Sequence, residues 1–189
     1  MVEVLVSILV LSFGMLGMVG MQAAALQSNR EAKVQSVAAV FARELGELIR
    51  GNRLVGMLPT ATNPYAGDFS SPLTPTSASY CLNVATGTAA CTDTAAIANA
   101  QMTEWLARVD SQLPGARVVV CFDTTPYDAT TGLPQWACSG SGNAMVIKLG
   151  WTRGSTDRSV APSASASAPA ALDRAVRPAI VFPVSAGST

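Results

Sequence analysis

Histidine is missing from this chain, although the chain is 189 residues long. Histidine is the side chain that most often acts as a general base near neutral pH, and it is the commonest metal ligand. Ser-His-Asp and Cys-His arrangements therefore cannot be built here. The sequence also contains no phosphate-binding loop, no GxSxG motif and no metal-ligand cluster. We accordingly expect a protein that is not an enzyme and that holds no metal or other cofactor.

Charge is also scarce. Charged residues make up 13% of the chain, whereas about 25% is usual for a soluble domain. The 12 basic and 12 acidic side chains cancel, so nothing favours nucleic acid as a partner. Apolar residues reach 49%. At this length the chain is expected to form one domain, or one domain plus an anchor.

The four cysteines lie in no CxxC pair, and their spacing, in a chain without histidine, fits no zinc site. An even number spread through loop-like sequence favours two disulfides and an oxidising compartment. Three pairings can be drawn. We favour the most local, Cys81–Cys91 and Cys121–Cys138. The alternative is four reduced, buried cysteines in a cytosolic protein.

The N-terminal stretch MVEVLVSILVLSFGMLGMVGM is strongly apolar, and Glu3 is the only charged residue before Arg30. From Val4 to Ala25 there is no charge and no proline, a length that matches the roughly 20 residues needed to cross a bilayer. We therefore predict a transmembrane or filament-core helix half over 1–26. No basic residue precedes the run, so it does not have the pattern of a cleaved signal peptide.

The same helix is predicted to continue as an amphipathic half over 27–52, ending at Gly51-Asn52. Its apolar stripe comprises Val34, Val37, Phe41, Leu45 and Leu48, and its polar face comprises Arg30, Lys33, Arg43, Glu47 and Arg50.

Three glycines recur at every third position of the apolar half, namely Gly14, Gly17 and Gly20. They either permit close helix–helix approach or lower the cost of unwinding the helix locally. The alternative is the ordinary glycine enrichment of membrane helices.

The carboxylate of Glu3 also has two interpretations. It is favoured near a helix N-terminus by the macrodipole, or it pairs with the free α-amino group of a neighbouring subunit.

The segment VEVLVSILVLSFGMLGMVGMQ resembles the N-terminus of type IV pilins, and specifically of the minor pilins called PilV. Glu3 falls on the glutamate that opens the long apolar helix of that family. The stretch AAVFARELGELIRGN resembles the PilV segment that follows the membrane half, while LPGARVVV and AMVIKLGW fit the C-terminal domain more loosely. The resemblance is closest over residues 1–53.

The resemblance implies a fold, a location and partners. Prepilin peptidase would remove a basic leader, which we expect upstream of Met1, and Glu3 would recruit the subunit by pairing with an adjacent N-terminal amine. The protein would cross the inner membrane once, with its domain in the periplasm, and then enter the extracellular pilus. Its partners would be other minor and major pilins, the inner-membrane assembly platform and a tip adhesin.

The implied function is that of a minor pilin in a tip priming complex that promotes pilus assembly, adhesion or twitching motility. The disulfide-bearing loops would be its contact surfaces. A minor pseudopilin of type II secretion is the main alternative, because its helix and glutamate are similar. A bitopic membrane enzyme or binding protein is a further alternative from another class.

Residues 53–189 are predicted to form a disulfide-containing globular pilin domain. It begins with a loop over 53–79 and contains a helix over 93–113, with Ile97, Trp105, Val109 and Leu113 on its buried face. The predicted strands are SYCLNV at 79–84, RVVVCF at 117–122, NAMVIKLGW at 143–151 and an edge strand at 179–184.

In the strand at 143–151, Met145, Ile147, Leu149 and Trp151 alternate with Val146, Lys148 and Gly150, which predicts a sheet buried on one side. The Ser/Ala/Pro tract at 159–171 is predicted to be an exposed loop. The expected class is α+β and pilin-like: one long N-terminal helix packed on a small antiparallel sheet.

Overall fold

The computed structural model describes residues 2–83, 89–154, 172–173 and 177–185. The fold is α+β, with a long N-terminal helix and a four-stranded antiparallel sheet, as predicted. Two compact units are distinguished, Met1–Ser36 and Val37–Thr189. The predicted divisions after residues 26 and 52 stay predictions, and the predicted loop at 159–171 lies outside the described residues.

Helix α1 spans Val2–Gly51 and ends at the glycine that the sequence indicated. Among the described residues it is the helix that is long and apolar enough to cross a membrane. A signal sequence meets the same criteria of length and composition, so they establish the capacity alone. The hydroxyls of Ser7 and Ser12 donate to the carbonyl oxygens of Glu3 and Ile8, which satisfies these polar groups inside the helix.

The buried face of the C-terminal part of α1 differs from the predicted stripe. Phe41 and Leu45 are buried, but Val34, Val37 and Leu48 are only half-buried. The other buried positions are mostly small: Ala38, Ala42, Gly46 and Ile49.

The reason is the close approach of the sheet to this helix. A Cβ added at Gly46 would lie 2.9 Å from a ring carbon of Phe182. Small residues therefore form much of the helix face that contacts the sheet, whereas the predicted stripe consists of large apolar side chains.

Two further helices follow α1 in the chain. Helix α2 covers Arg53–Gly56, and helix α3 covers Thr94–Gln112. The side chain of Asp93 caps α3 by accepting a hydrogen bond of 2.7 Å from the N–H of Ala96. The buried face of α3 contains the predicted Trp105 and Val109, while Leu113 is buried just beyond the helix end and Ile97 is half-buried.

The strands of the main sheet are β1 (Gly67–Ser70), β2 (Arg117–Phe122), β3 (Met145–Gly150) and β6 (Ile180–Val184). They lie in the order β1-β2-β3-β6, and every neighbouring pair is antiparallel. A second, two-stranded sheet pairs β4 (Arg153–Gly154) with β5 (Leu172–Asp173).

Strands β2 and β3 lie where the sequence placed them, and β6 is the predicted edge strand, which accommodates Pro183. Strand β1 lies in the segment that was predicted to be loop.

The predicted strand at 79–84 is wrong over its described residues. The N–H of Asn83 donates to the carbonyl oxygen of Tyr80 at 2.9 Å, which closes a turn instead. Tyr80 and Leu82 are exposed, at 56% and 40%, so their alternation does not mark a buried face. The disulfide from Cys81 to Cys91 holds this segment as a loop next to α3.

Candidate functional site

The apolar half of α1 is one of two candidate interaction regions. Glu3 lies in the first turn of the helix, where the macrodipole favours a carboxylate. Residues 2–26 are all exposed in the single chain. A Cβ added at Gly14, Gly17 or Gly20 would meet no atom within 4 Å.

Leaving such a surface in water is unfavourable. Burying one Val, Leu, Ile, Phe or Met side chain gains about 1.5–3 kcal/mol, and this half exposes many, among them Leu5, Ile8, Leu11, Phe13 and Leu16. An apolar area of this size marks a surface that lipid or other helices cover. This half of the helix is therefore a candidate for burial in a bilayer or against other helices.

The second candidate region consists of the two disulfide-bearing loops. The cysteines pair as Cys81–Cys91 and Cys121–Cys138, with Cα–Cα distances of 5.0 and 6.4 Å. The segment before Cys81 is held against α3 because the N–H of Ser79 donates to the hydroxyl of buried Thr103 at 3.0 Å. Residues 84–88 of the first loop lie outside the described residues.

The second loop, residues 123–141, makes up most of the connection from β2 to β3, and we call it the covering loop. Asp128 organises its outer part, since its Oδ1 accepts hydrogen bonds from Thr130 N–H and Thr131 N–H at 3.1 and 2.7 Å. Those bonds, led by the one from the Thr131 N–H, hold the pKa of Asp128 below its ordinary value. Tyr127 and Leu133 are 51% and 46% exposed, so the loop presents two large apolar side chains.

The covering loop buries the face of β3 that was predicted to be open. Every residue of β3 is buried, including Lys148, which is 0% exposed. Phe182 is the register partner of Ile147, and α1 packs on that face. Because successive side chains of a strand alternate, Lys148 lies on the opposite face. The prediction of a sheet buried on one side is wrong for this reason.

Lys148 finds its hydrogen-bond partners in the covering loop. Its Nζ lies 2.6 Å from Oδ2 of Asp123 and 2.6 Å from the carbonyl oxygen of Ala137. The other oxygen of Asp123 accepts from the N–H groups of Thr125 and Ser139, at 2.9 and 3.1 Å. Both charged side chains of this ion pair are fully buried. The carboxylate is therefore bonded on both oxygens.

The electrostatics of Asp123 follow from these contacts. Burial by itself raises the pKa of the carboxyl group. The hydrogen bonds from Lys148, Thr125 and Ser139 outweigh that effect, and the pKa of Asp123 lies below its ordinary value of 3.8. The carboxyl group of Asp123 is therefore ionised at neutral pH.

Cys121, Asp123 and Cys138 place their ligand-type atoms within 4.8 Å of one another, but they do not suit a metal ion. Metal binding requires thiolates, and both sulfurs are bonded to each other. The carboxylate is already engaged by Lys148. This cluster is a structural joint between the loop and the sheet.

A shallow groove of about 370 Å³ runs beside this joint, over β1 and β2. Arg117 borders it and lies 4.6 Å from the ring centroid of Trp136. The same guanidinium donates to both carboxylate oxygens of Asp68, at 3.1 and 2.7 Å. The pair is partly exposed, and it links β1, β2 and the covering loop.

Comparisons with protein-family models, with curated proteins and with solved structures each found no match for this chain. The long apolar helix and the small antiparallel sheet are compatible with a pilin-like architecture. The sequence singled out Glu3, the three glycines and the cysteines, but it missed the Lys148–Asp123 pair. The signal was present as a lysine in the middle of a strongly apolar strand.

Proposed function

We propose that this protein is a minor pilin of the PilV kind, which crosses the inner membrane through the apolar half of α1 and then enters a type IV pilus. The observation that carries the proposal is the helix itself. Its residues 2–26 are mostly apolar and all exposed, Glu3 is their one charged residue, and the helix continues to Gly51. An ordinary single-pass anchor does not need the amphipathic continuation.

Glu3 has a specific part in this proposal. A neighbouring subunit's α-amino group placed beside Glu3 would attract it by about 4 kcal/mol at 4 Å and an effective dielectric constant of 20, before desolvation. An unpaired carboxylate in the same apolar setting is costly. The pair would therefore fix the axial register of one helix against the next. The proposed partners are other minor and major pilins, together with the assembly platform, the prepilin peptidase that processes the chain and a tip adhesin.

The disulfide-bearing loops are the proposed contact surfaces outside the helix. Tyr127 and Leu133 on the covering loop, and Tyr80 and Leu82 beside Cys81, are exposed apolar side chains on loops held by a disulfide. Rigid loops of this kind are common recognition surfaces. Such contacts would serve pilus priming, adhesion or twitching motility.

The test replaces Glu3→Gln at the native locus, with Glu47→Gln on the same helix as the matched control. Filaments are sheared from the cells, and the N-terminal peptide of this protein is quantified by mass spectrometry. We expect the wild type and Glu47→Gln in the filament fraction, with a processed and methylated N-terminus. Glu3→Gln should remain in the membrane fraction.

Two results would contradict the proposal. One is equal recovery of Glu3→Gln in the filaments, and the other is a wild-type protein found in membranes alone and unmethylated. The alternative, a minor pseudopilin of type II secretion, shares the helix and Glu3. That alternative predicts that the wild-type peptide is lost from the sheared fraction when the secretion pseudopilins are deleted. It also predicts that the peptide is still found in that fraction when the major pilin is deleted.

A further inference from the structure

The covering loop, residues 123–141, is fastened to the sheet at two neighbouring points. One is the disulfide between Cys121 on β2 and Cys138 in the loop. The other is Lys148, whose amine is bound by Asp123 and by the carbonyl oxygen of Ala137. Ala137 directly precedes Cys138, so the disulfide holds in place a group that solvates the lysine. The Lys148 contacts therefore depend on the disulfide.

Because position 148 is a lysine, the stability of the closed loop depends on the contacts that the loop makes with the ammonium group. An apolar side chain at this site would favour the closed loop, because opening would expose it to water. Lys148 behaves differently, since its ammonium group loses its hydration shell when the loop closes and regains it when the loop opens. Closure is then favoured when the loop supplies, all at once, the hydrogen bonds that replace the water around the Lys148 ammonium group. The disulfide secures this by removing most of the open conformations.

We infer that residues 123–141 form an oxidation-locked lid, which closes over Lys148 when the Cys121–Cys138 disulfide forms and opens when it is reduced. In the locking step the two thiols lose two protons and two electrons to a protein disulfide by thiol–disulfide exchange, and that disulfide becomes a dithiol. Before this step the sheet face around Lys148 is open to water. Afterwards that face is covered, and Tyr127 and Leu133 are held on the lid surface. The inference does not depend on the proposed function.

The sequence provides its own reporter for this opening, because Lys33 and Lys148 are the lysines of the chain. Lys33 is exposed and Lys148 is fully buried. The full-length protein, in detergent, is treated with an amine-acetylating ester, and the modification of each lysine is followed by mass spectrometry. In the oxidised wild type we expect Lys33 to be acetylated and Lys148 to be protected.

The decisive variant is the double substitution Cys121→Ser with Cys138→Ser, and Cys81→Ser with Cys91→Ser is the matched control. Removing a constraint on a loop of this length changes the open population by about a hundredfold in the chain-entropy model. We therefore expect Lys148 acetylation to become about a hundredfold faster relative to Lys33. In the control variant the ratio should stay at the wild-type value.

Hydrogen exchange distinguishes an opened lid from an unfolded domain. In the Cys121/Cys138 variant, the amides paired between β2 and β3 should keep their protection while those of Thr125 and Ser139 lose it. Lys148 that stays unreactive overturns the inference, and so does loss of the β2–β3 protection together with that of the loop.

The role of the charge is tested by adding Lys148→Met and Asp123→Asn to the same variant. The asparagine keeps an oxygen for the Thr125 and Ser139 N–H groups, and the buried ammonium is gone. We expect the loop amides to recover protection, because an apolar side chain now favours closure. If they exchange as fast as before, the lysine does not contribute to the opening, and the coupling is refuted.

Discussion

Trp105 on α3 donates a hydrogen bond from its indole Nε1 to the carbonyl oxygen of Phe41 on α1, at 3.2 Å. The two rings also meet edge to face, with centroids 6.1 Å apart and planes at 86°. Both side chains are buried, at 0% and 5% exposure. One residue pair therefore combines apolar burial, ring packing and a hydrogen bond that joins the two helices.

This pair predicts a large loss of stability for Trp105→Ala. Truncating a buried tryptophan costs about 3–5 kcal/mol in free energy of unfolding. Trp105→Phe keeps most of the apolar volume but loses the indole donor, so we expect a smaller cost, of about 1–2 kcal/mol. Urea unfolding in detergent, followed by circular dichroism, measures both.

Arg108→Ala is the control, because the Arg108–Glu44 ion pair on the same helices is partly exposed. Such pairs contribute about 0–1 kcal/mol. If Trp105→Ala lowers the free energy of unfolding no more than Arg108→Ala does, the contact between Trp105 and Phe41 is not important for stability.

Gly46 is expected to tolerate no long side chain. The site faces Phe182 and Val184 at 2.9 and 3.3 Å from an added Cβ, and the contact is between α1 and β6. Leucine here would push the edge strand away from the helix, at a cost of about 1–3 kcal/mol typical of overpacking. Gly51→Leu is the matched control, because its added Cβ meets no atom within 4 Å. Equal unfolding midpoints for the two variants would refute the close approach.

Much of the fold follows from local signals that the sequence carries openly. The strand RVVVCF, the edge strand with Pro183, the start of α3 after Asp93 and the end of α1 at Gly51 each lie where the sequence placed them. In these cases the neighbouring sequence marks the element: β-branched runs mark the strands, a carboxylate marks the helix start, and a glycine marks the helix end.

The failures concern contacts between distant segments. Strand β1, with the sequence GDFS, has a single large apolar residue, Phe69, and becomes a strand because β2 offers it an edge. The burial of Lys148 depends on a loop that returns over the sheet, which no periodicity within β3 can reveal. The alternation at Tyr80 and Leu82 predicts a strand, but the Cys81–Cys91 bridge and a turn determine that segment.

The Lys148–Asp123 pair makes stability depend on pH in one direction. The folded pKa of Asp123 lies below the ordinary value of 3.8. At a pH between the folded pKa and 3.8, the Asp123 carboxyl group binds a proton more readily in the unfolded chain than in the folded one. The stabilisation that Asp123 contributes to the fold is therefore complete above about pH 4, and it is lost as the pH falls through the folded pKa. We expect the urea midpoint of the wild type to fall more steeply below pH 4 than that of the Asp123→Asn, Lys148→Met double variant.

Other carboxylates, such as Asp128, titrate in both proteins, so the difference between the two pH profiles isolates Asp123. The measurement compares urea midpoints at intervals from pH 2 to pH 7, at constant ionic strength. Parallel profiles would show that the pair contributes nothing to acid stability.

The glycines of the apolar half separate two mechanisms of assembly. If Gly17 permits close helix–helix contact, alanine remains small enough, whereas leucine blocks the approach. If the glycine instead makes the helix easier to unwind, alanine already removes that property, because it favours the helix by about 1 kcal/mol. A Cβ at Gly17 meets no atom of its own chain within 4 Å, so neither substitution disturbs the subunit itself.

We expect the packing mechanism, and hence normal recovery of Gly17→Ala in sheared filaments and loss of Gly17→Leu from them. Met18→Leu is the control, since it changes an exposed apolar side chain for another of similar volume. Membrane levels of each variant are measured in parallel, so that a failure of insertion is distinguished from a failure of assembly. If Gly17→Ala is excluded from the filaments as completely as Gly17→Leu, the result favours local unwinding. Alanine adds only a methyl group to the helix surface, which is too little to block close packing.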